Sequence, residues 1–156
     1  MTAYLGIGTT IGNKKENLTR AIESLSLVLG SCIATSEFIE TAPWGFDSNN
    51  SFLNCCAAFK TELSPMELLN ATEKVERELG RTIKSSNGIY HDRIIDIDIL
   101  LYDNVVMDTK RLIIPHPLMH KREFVLQPLC EIAPEALHPV LNKSIGQLLE
   151  ELTECQ

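Results

Sequence analysis

The stretch Arg93–Tyr102 constrains the fold more than any other, because it sets two acidic residues into a run of aliphatic ones. Its β-branched residues predict a strand that ends at the turn residues Asp103 and Asn104. Side chains alternate along a strand, so Asp96 and Asp98 would project from one face, about 6.6–6.8 Å apart along the chain. The opposite face would enter the core through Ile95, Ile97, Ile99 and Leu101.

Two neighbouring carboxylates on an otherwise buried strand repel each other and resist desolvation, so they need a cation there. A solvent-facing polar edge is the alternative interpretation. Aspartate is unfavourable in strands, however, and an exposed face more usually carries Thr, Lys or Glu. We therefore favour a divalent-metal site at Asp96 and Asp98, whose hard oxygen ligands indicate Mg²⁺ rather than zinc.

The bulk composition limits the class of protein. A chain of 156 residues predicts a single domain over 1–156 with a real core. The net charge of −7 argues against nonspecific nucleic-acid binding, and the apolar runs are too short to span a membrane. The five cysteines follow no zinc or redox spacing, and no signal-peptide pattern opens the chain. We expect a cytoplasmic protein with reduced cysteines and no obligate protein partner.

The remaining patterns predict alternating strands and helices. The expected elements are a strand from Tyr4, a helix over 14–29 capped by Asn13, strands over 31–39 and 52–59, a helix from the Ser64–Glu67 capping box to Leu79, a strand over 105–107, and a last helix over 144–152. Each of the first two helices has an apolar stripe at helical spacing, formed by Leu18, Ala21, Ile22, Leu25 and Leu29 in the first and by Met66, Leu69, Val75 and Leu79 in the second. Gly30 and Gly80 would end these helices. Residues 125–137 are read as scaffold.

The glycines of the first strand do not fit a dinucleotide-binding motif. A third glycine would be needed at position 11, where Ile11 stands. Gly6 and Gly8 instead indicate points where a helix or a ligand approaches the strand closely.

Polar and basic residues gather around the acidic strand in sequence. The loop over 81–92 is basic through Arg81 and Lys84, and Arg93 follows it. The segment from Arg111 to Phe124 adds further cations and two histidines. Cations beside a metal-binding carboxylate pair are what a polyphosphate needs, although a solvated charged loop is the alternative.

Two other residues leave alternatives open. Asn54 lies in an apolar strand, where its amide is either a satisfied structural group or suited to the edge of a heterocycle. Trp44, in the loop over 41–50, is either a lid over the core or part of a ligand pocket.

Several motifs in order along the chain resemble those of the 6-hydroxymethyl-7,8-dihydropterin pyrophosphokinases, a family of folate-pathway enzymes. They are Tyr4-Leu5-Gly6-Ile7-Gly8, Thr41-x-Pro43-x-Gly45, Phe52-Leu53-Asn54, Glu76-x-x-x-Gly80-Arg81, Arg93-x-x-Asp96-x-Asp98, Pro115-His116-Pro117 and Arg122-x-Phe124. The resemblance implies a ferredoxin-like α+β fold, in which helices pack on a mostly antiparallel sheet as a three-layer sandwich. It also implies transfer of the terminal diphosphate of ATP to the pterin hydroxymethyl group, giving AMP.

The resemblance further implies a role for each matching residue. Asp96 and Asp98 would bind two Mg²⁺ ions, with Arg81 and Arg93 closing over the phosphates. The remaining ATP-site residues would be Glu76, Lys84, Ile99, Arg111, His116 and Arg122. The pterin would be held by Thr41, Ala42, Trp44 and Asn54, between the rings of Phe52 and Phe124. The alternatives are a non-catalytic ferredoxin-like nucleotide-binding module and a different metal-dependent phosphate enzyme.

Overall fold

The computed structural model describes residues 1–41, 51–81 and 94–154. In these ranges the elements are β1 (Thr2–Thr9), α1 (Lys14–Leu29), β2 (Cys32–Thr35), β3 (Ile39–Thr41), β4 (Phe52–Lys60), α2 (Pro65–Arg81), β5 (Asp96–Tyr102), β6 (Met107–Asp108), β7 (Ile113–Ile114), a 3-10 turn (Met119–Lys121), α3 (Glu123–Ile132), β8 (Leu137–His138), β9 (Lys143–Ser144) and α4 (Ile145–Glu154). No helix among these is long and apolar enough to cross a membrane.

The central sheet is antiparallel and has the strand order β2-β4-β1-β5, with β3 paired to the start of β4. Helix α1 connects β1 to β2, and α2 connects β4 to β5. This order confirms the predicted ferredoxin-like α+β fold.

One face of the sheet is covered by α1 and α2. The stripe predicted for α1 is buried there, with Leu18, Ala21, Leu25 and Leu29 against alternate residues of β1, β4 and β5. The other face is covered by α3 and α4, which enclose a second apolar cluster around Cys56, Leu100 and Leu126. Helices on both faces confirm the predicted three-layer sandwich.

Side-chain caps fix three helix starts where the sequence predicted them. Asn13 Oδ1 accepts from the Glu16 amide at 3.1 Å. Ser64 and Glu67 exchange two hydrogen bonds, of 2.9 and 3.2 Å, as do Ser144 and Gln147. Each cap satisfies amides that the first helical turn leaves without partners.

Three sequence-based boundaries were wrong, and one helix was not predicted. The strand expected over 31–39 is two strands, and between them the Ser36 hydroxyl accepts the Cys56 amide at 2.9 Å. Helix α2 continues through Gly80 to Arg81, and residues 123–132 form a helix. The acidic strand begins at Asp96 rather than Arg93.

Two predictions about the sheet were also wrong. The strand expected to continue the sheet near Met107 pairs with β7 in a separate ribbon. Leu101 does not share the core face of Ile97 and Ile99, because a register shift between Tyr4 and Leu5 turns it into the second cluster.

Candidate active site

The strand register brings the predicted site residues together on the second face of the sheet. Gly8 of β1 lies between Asn54 of β4 and Asp96 of β5. One pleat away, Gly6 lies opposite Asp98. Paired residues in a sheet project their side chains to the same face, so Asn54 and the two aspartates share one surface. We call the surface over Gly8, between Asn54 and Asp96, the trough.

Helix α3 borders this surface on one side. The Cys56 thiol donates to the carbonyl of Val125 at 3.6 Å, so the first turn of α3 covers the sheet one pleat beyond Asn54. Arg122 and Phe124 stand at this start of α3, with the guanidinium carbon 5.7 Å from the ring centroid. This is within range for a cation–π contact. In the described part of the chain, α3 and α4 cover the half of the second face around Cys56 and Leu100.

The two aspartates lie in the half that these helices do not cover. Asp96 is exposed, and 40% of the Asp98 side chain is accessible. Both carboxylates reach solvent, although the rest of the strand is buried as the sequence predicted. They remain hard oxygen ligands of the type that Mg²⁺ prefers. Within residues 1–41, 51–81 and 94–154, no group of three or more metal-ligating side chains exists.

Neighbouring elements hold the acidic strand in place. The Ile97 amide, which lies between the two aspartates on the sheet edge, donates to Glu76 Oε2 of α2 at 2.9 Å. The Thr9 hydroxyl donates to the carbonyl of Ile94, just before the strand begins. Glu76, expected at the ATP site, therefore also anchors the strand that carries the aspartates.

His116 lies beside the acidic pair, with Nε2 3.9 Å from Asp98 Oδ1. Burial lowers the pKa of His116 and nearby Arg122 lowers it further, while Asp98 and Asp96 act in the opposite direction. The Leu118 amide donates to His116 Nδ1 at 3.2 Å. In the neutral ring the proton is therefore on Nε2, which makes this atom a donor facing the aspartates.

A cleft of about 260 Å³ opens next to Asp98. Ile99, Arg111 and His116, all predicted at the ATP site, line it. Arg111 is held from α2, because its Nη2 donates to Glu73 Oε1 at 2.9 Å and to Asn70 Oδ1 at 3.1 Å. The cleft brings a cation, an acid and an imidazole to one opening.

Several residues of this cleft were not predicted from the sequence. Leu69 and Lys110 line it, and Asn70 orients Arg111. Leu69 was read only as part of an apolar helix stripe. Lys110 precedes Arg111 directly, and this pair of adjacent cations was the available signal.

Of the predicted pterin residues, Thr41, Phe52 and Asn54 lie together where β3 pairs with β4. Asn54 Nδ2 donates to Thr41 Oγ1 at 3.2 Å, which joins β4 to the last residue of β3. Phe52 projects from the same face as Asn54 and is 40% exposed. Ala42, Trp44, Lys84, Arg93 and the side chain of Arg81 lie outside the described residues.

Comparison with known proteins decides the family. Residues 4–134 match the model of the 7,8-dihydro-6-hydroxymethylpterin-pyrophosphokinase (HPPK) family. The chain belongs to this family. An HPPK relative from Porphyromonas gingivalis, named 2-amino-4-hydroxy-6-hydroxymethyldihydropteridine pyrophosphokinase, is 46% identical over 137 residues, which cover 87% of this chain and 92% of the relative. A protein of the same name from Aquifex aeolicus is 41% identical over 152 residues, 97% of this chain and 92% of that protein.

Solved structures support the HPPK fold independently. Plasmodium falciparum HPPK-DHPS matches 98% of this chain with a TM-score of 0.77, at 19% sequence identity. This chain spans 45% of the length of that protein. At this identity the match supports the fold alone.

Proposed function

We propose that this HPPK chain transfers diphosphate from ATP to 6-hydroxymethyl-7,8-dihydropterin, giving AMP and the pterin diphosphate. The observation that carries the proposal is the position of the aspartate pair. The cleft of about 260 Å³ opens at Asp98, and the amide of Asn54 lies across Gly8 from Asp96. The two aspartates therefore lie between the cleft proposed for the nucleotide and the Asn54 amide, which suits the edge of a heterocycle.

The donor set fits magnesium as the ion that the reaction uses. Asp96 and Asp98 would hold Mg²⁺, two ions in our proposal, and leave coordination positions for ATP oxygens. Bound magnesium would offset the phosphate charge and make the substrate hydroxyl a better nucleophile. The chain need not supply a closed metal cage, since Mg²⁺ usually keeps phosphate and water ligands.

The cleft residues would position the nucleotide. Ile99 and Leu69 offer apolar walls to a base, while Arg111 presents a guanidinium that α2 already orients. His116 would donate from Nε2 to a phosphate oxygen, and Arg122 would add positive charge from the start of α3. Arg81, Lys84 and Arg93 are the further phosphate-binding residues of the proposal.

The trough residues would position the pterin. The Asn54 amide, supported by Thr41, would bind the polar edge of the ring, with Ala42 and Trp44 completing this side. Phe52 and Phe124 would stack on its two faces, and each offset aromatic pair contributes about 0.5–1.5 kcal/mol beyond burial. The hydroxymethyl oxygen would then attack the β-phosphorus, and the bond from that phosphorus to the oxygen of AMP would break.

The environment of the cysteines fits a reducing compartment, and we place the enzyme in the cytoplasm. Cys55 and Cys56 are buried and free, and burial raises the pKa of the Cys55 thiol to about 12. Such thiols are unreactive packing groups at neutral pH. We further propose that the enzyme needs no protein partner, which activity of the purified chain would test.

A product assay tests the reaction. Purified protein, Mg-ATP and 6-hydroxymethyl-7,8-dihydropterin are expected to yield AMP and pterin diphosphate in equal amounts. Omission of the pterin, or chelation of the metal, is expected to abolish AMP formation. ADP in place of AMP would mean transfer of one phosphoryl group. Nucleotide binding without turnover or pterin binding would favour the non-catalytic module.

A further inference from the structure

Gly8 occupies a position where the backbone has no need of glycine. It lies inside β1, between two antiparallel neighbours, and has no left-handed φ, unlike Gly12 and Gly30. Glycine inside a strand weakens the sheet, since it costs more entropy to order and packs no side chain. A glycine here therefore calls for a steric explanation.

The side chain of Asn54 supplies that explanation. A Cβ added to Gly8 would lie 2.5 Å from Asn54 Oδ1 and 3.6 Å from its Cγ. The first distance is far below contact distance, so the amide would have to move. The same amide donates to Thr41 Oγ1 at 3.2 Å, and a shift away from β1 would disturb that hydrogen bond. Asn54 thus lies over Gly8 with its nitrogen already committed to β3.

Gly6 provides a comparison on the same strand and the same face. A Cβ there would lie 3.5 to 3.7 Å from atoms of Leu100, which is ordinary van der Waals contact. Gly6 pairs with Asp98, just as Gly8 pairs with Asp96. The steric requirement is therefore specific to the glycine beside Asn54 and is not general to the strand.

We propose that Gly8 is a positioning residue for the pterin, which acts by leaving room for the Asn54 amide to lie across β1. This inference rests on the proposed function, because it takes the ligand of Asn54 to be a heterocycle with hydrogen-bond donors. With Thr41 holding the nitrogen, the Asn54 oxygen is presented to the ring edge in one orientation. Any side chain at position 8 would turn that acceptor away.

Four variants separate this role from a structural one: Gly8→Ala, Gly6→Ala, Asn54→Ala and the double variant Gly8→Ala/Asn54→Ala. For each, equilibrium pterin binding, the KM values for pterin and ATP, and the melting temperature are measured. We expect Gly8→Ala to weaken pterin binding about tenfold, as loss of one buried hydrogen bond would, with the KM for ATP unchanged. Gly6→Ala is expected to bind both substrates like the wild type.

The double variant carries the decisive comparison. If Gly8 acts through Asn54, the double variant binds pterin no more weakly than Asn54→Ala alone. Additive losses, wild-type binding by Gly8→Ala, or an equal loss in Gly6→Ala would each overturn the inference. Should Gly8→Ala fail to fold, a folded double variant supports the clash with Asn54, and an unfolded one overturns it. A wild-type protein that neither binds pterin nor makes AMP refutes the proposed function itself, and this inference with it.

Discussion

The two faces of the central sheet use the same strands for different purposes. On the first face, α1 and α2 cover β1, β4 and β5 completely, and Leu5, Leu25 and Phe59 have no solvent exposure. On the second face, α3 and α4 cover only one half. The other half carries glycines, an asparagine and two aspartates. Because side chains alternate along a strand, each strand is anchored by one set of residues and presents another set to ligands.

The contrast explains why an acidic pair is tolerated in the middle of the chain. Asp96 and Asp98 stand where the helices end, so water screens their repulsion. Their backbone is nevertheless held by β1 and by Glu76. A site of this kind is rigid without being buried, which favours electrostatic stabilisation of a transferring phosphoryl group.

The largest effect is expected from Asp98→Ala, on the half of the second face that the helices do not cover. We expect turnover to fall on the order of 10²-fold or more, since the charge that the reaction needs is lost while packing is untouched. The free energy of unfolding should change by about 1 kcal/mol or less, since 40% of the Asp98 side chain is accessible. Urea denaturation and the product assay measure the two quantities. Asp108→Ala, on the exposed ribbon, is the control, and wild-type turnover in folded Asp98→Ala would remove the metal assignment.

The reverse pattern is expected for Leu25→Ala on the covered face. Leu25 is fully buried in α1, and truncating such a leucine costs about 2–5 kcal/mol of unfolding free energy. Both KM values should remain at wild-type levels at temperatures where the variant is folded. Leu27→Ala on the same helix is the matched control, since Leu27 is 88% exposed. An increased KM for pterin in folded Leu25→Ala would show that the two faces are coupled.

Local patterns predicted the parts of the fold that local interactions determine. The helical stripe and the caps at Asn13 and Ser64 depend on residues within one turn of each other. The register shift at Tyr4 and the break at Ser36 depend on partners more than ten residues away, which spacing alone does not show. Gly80 has the signal of a helix end, yet it lacks the left-handed φ that Gly30 adopts, and the helix continues to Arg81.

The candidate site, too, could be predicted from the sequence only in part. The alternation of Asp96 and Asp98 is visible in the sequence, and the resemblance to a family suggested Arg111, His116 and Asn54. The steric relation of Gly8 to Asn54 requires the pairing of β1 with β4, and the residues that orient Arg111 require the packing of α2. Sequence patterns therefore suggested which residues matter, whereas the mutual support of their side chains became visible only in three dimensions.

Arg111→Ala tests whether α2, which covers the first face of the sheet, also contributes to the candidate active site. Arg111 is held by Glu73 and Asn70 of α2. We expect the KM for ATP to rise roughly tenfold as an oriented cation is lost, with the KM for pterin unchanged. Glu73→Gln should give a smaller rise, because Arg111 remains but is less firmly oriented. Arg20→Ala, an exposed arginine on α1, is the control, and an unchanged KM for ATP in Arg111→Ala would exclude this cleft as the nucleotide site.

The smallest expected effect concerns stability at acidic pH. We attribute part of this pH dependence to His138, on the α3/α4 side of the molecule. His138 is 5% exposed, and its Nδ1 accepts from the Leu141 amide at 3.1 Å. Burial and nearby His120 hold the pKa of His138 below its ordinary value of 6.5. Below about pH 6.5 the unfolded chain therefore binds more protons than the folded protein, and stability falls as the pH decreases.

In His138→Asn, the amide oxygen can replace Nδ1 as acceptor while the titrating group is removed. The loss of unfolding free energy between about pH 8 and about pH 5.5, measured by urea denaturation, should be smaller than in the wild type. Burial and Lys121 also lower the pKa of His120, so part of the pH dependence should persist in the variant. An undiminished loss would mean that acid sensitivity arises elsewhere in the protein, and the α3/α4 side would then have no special part in it.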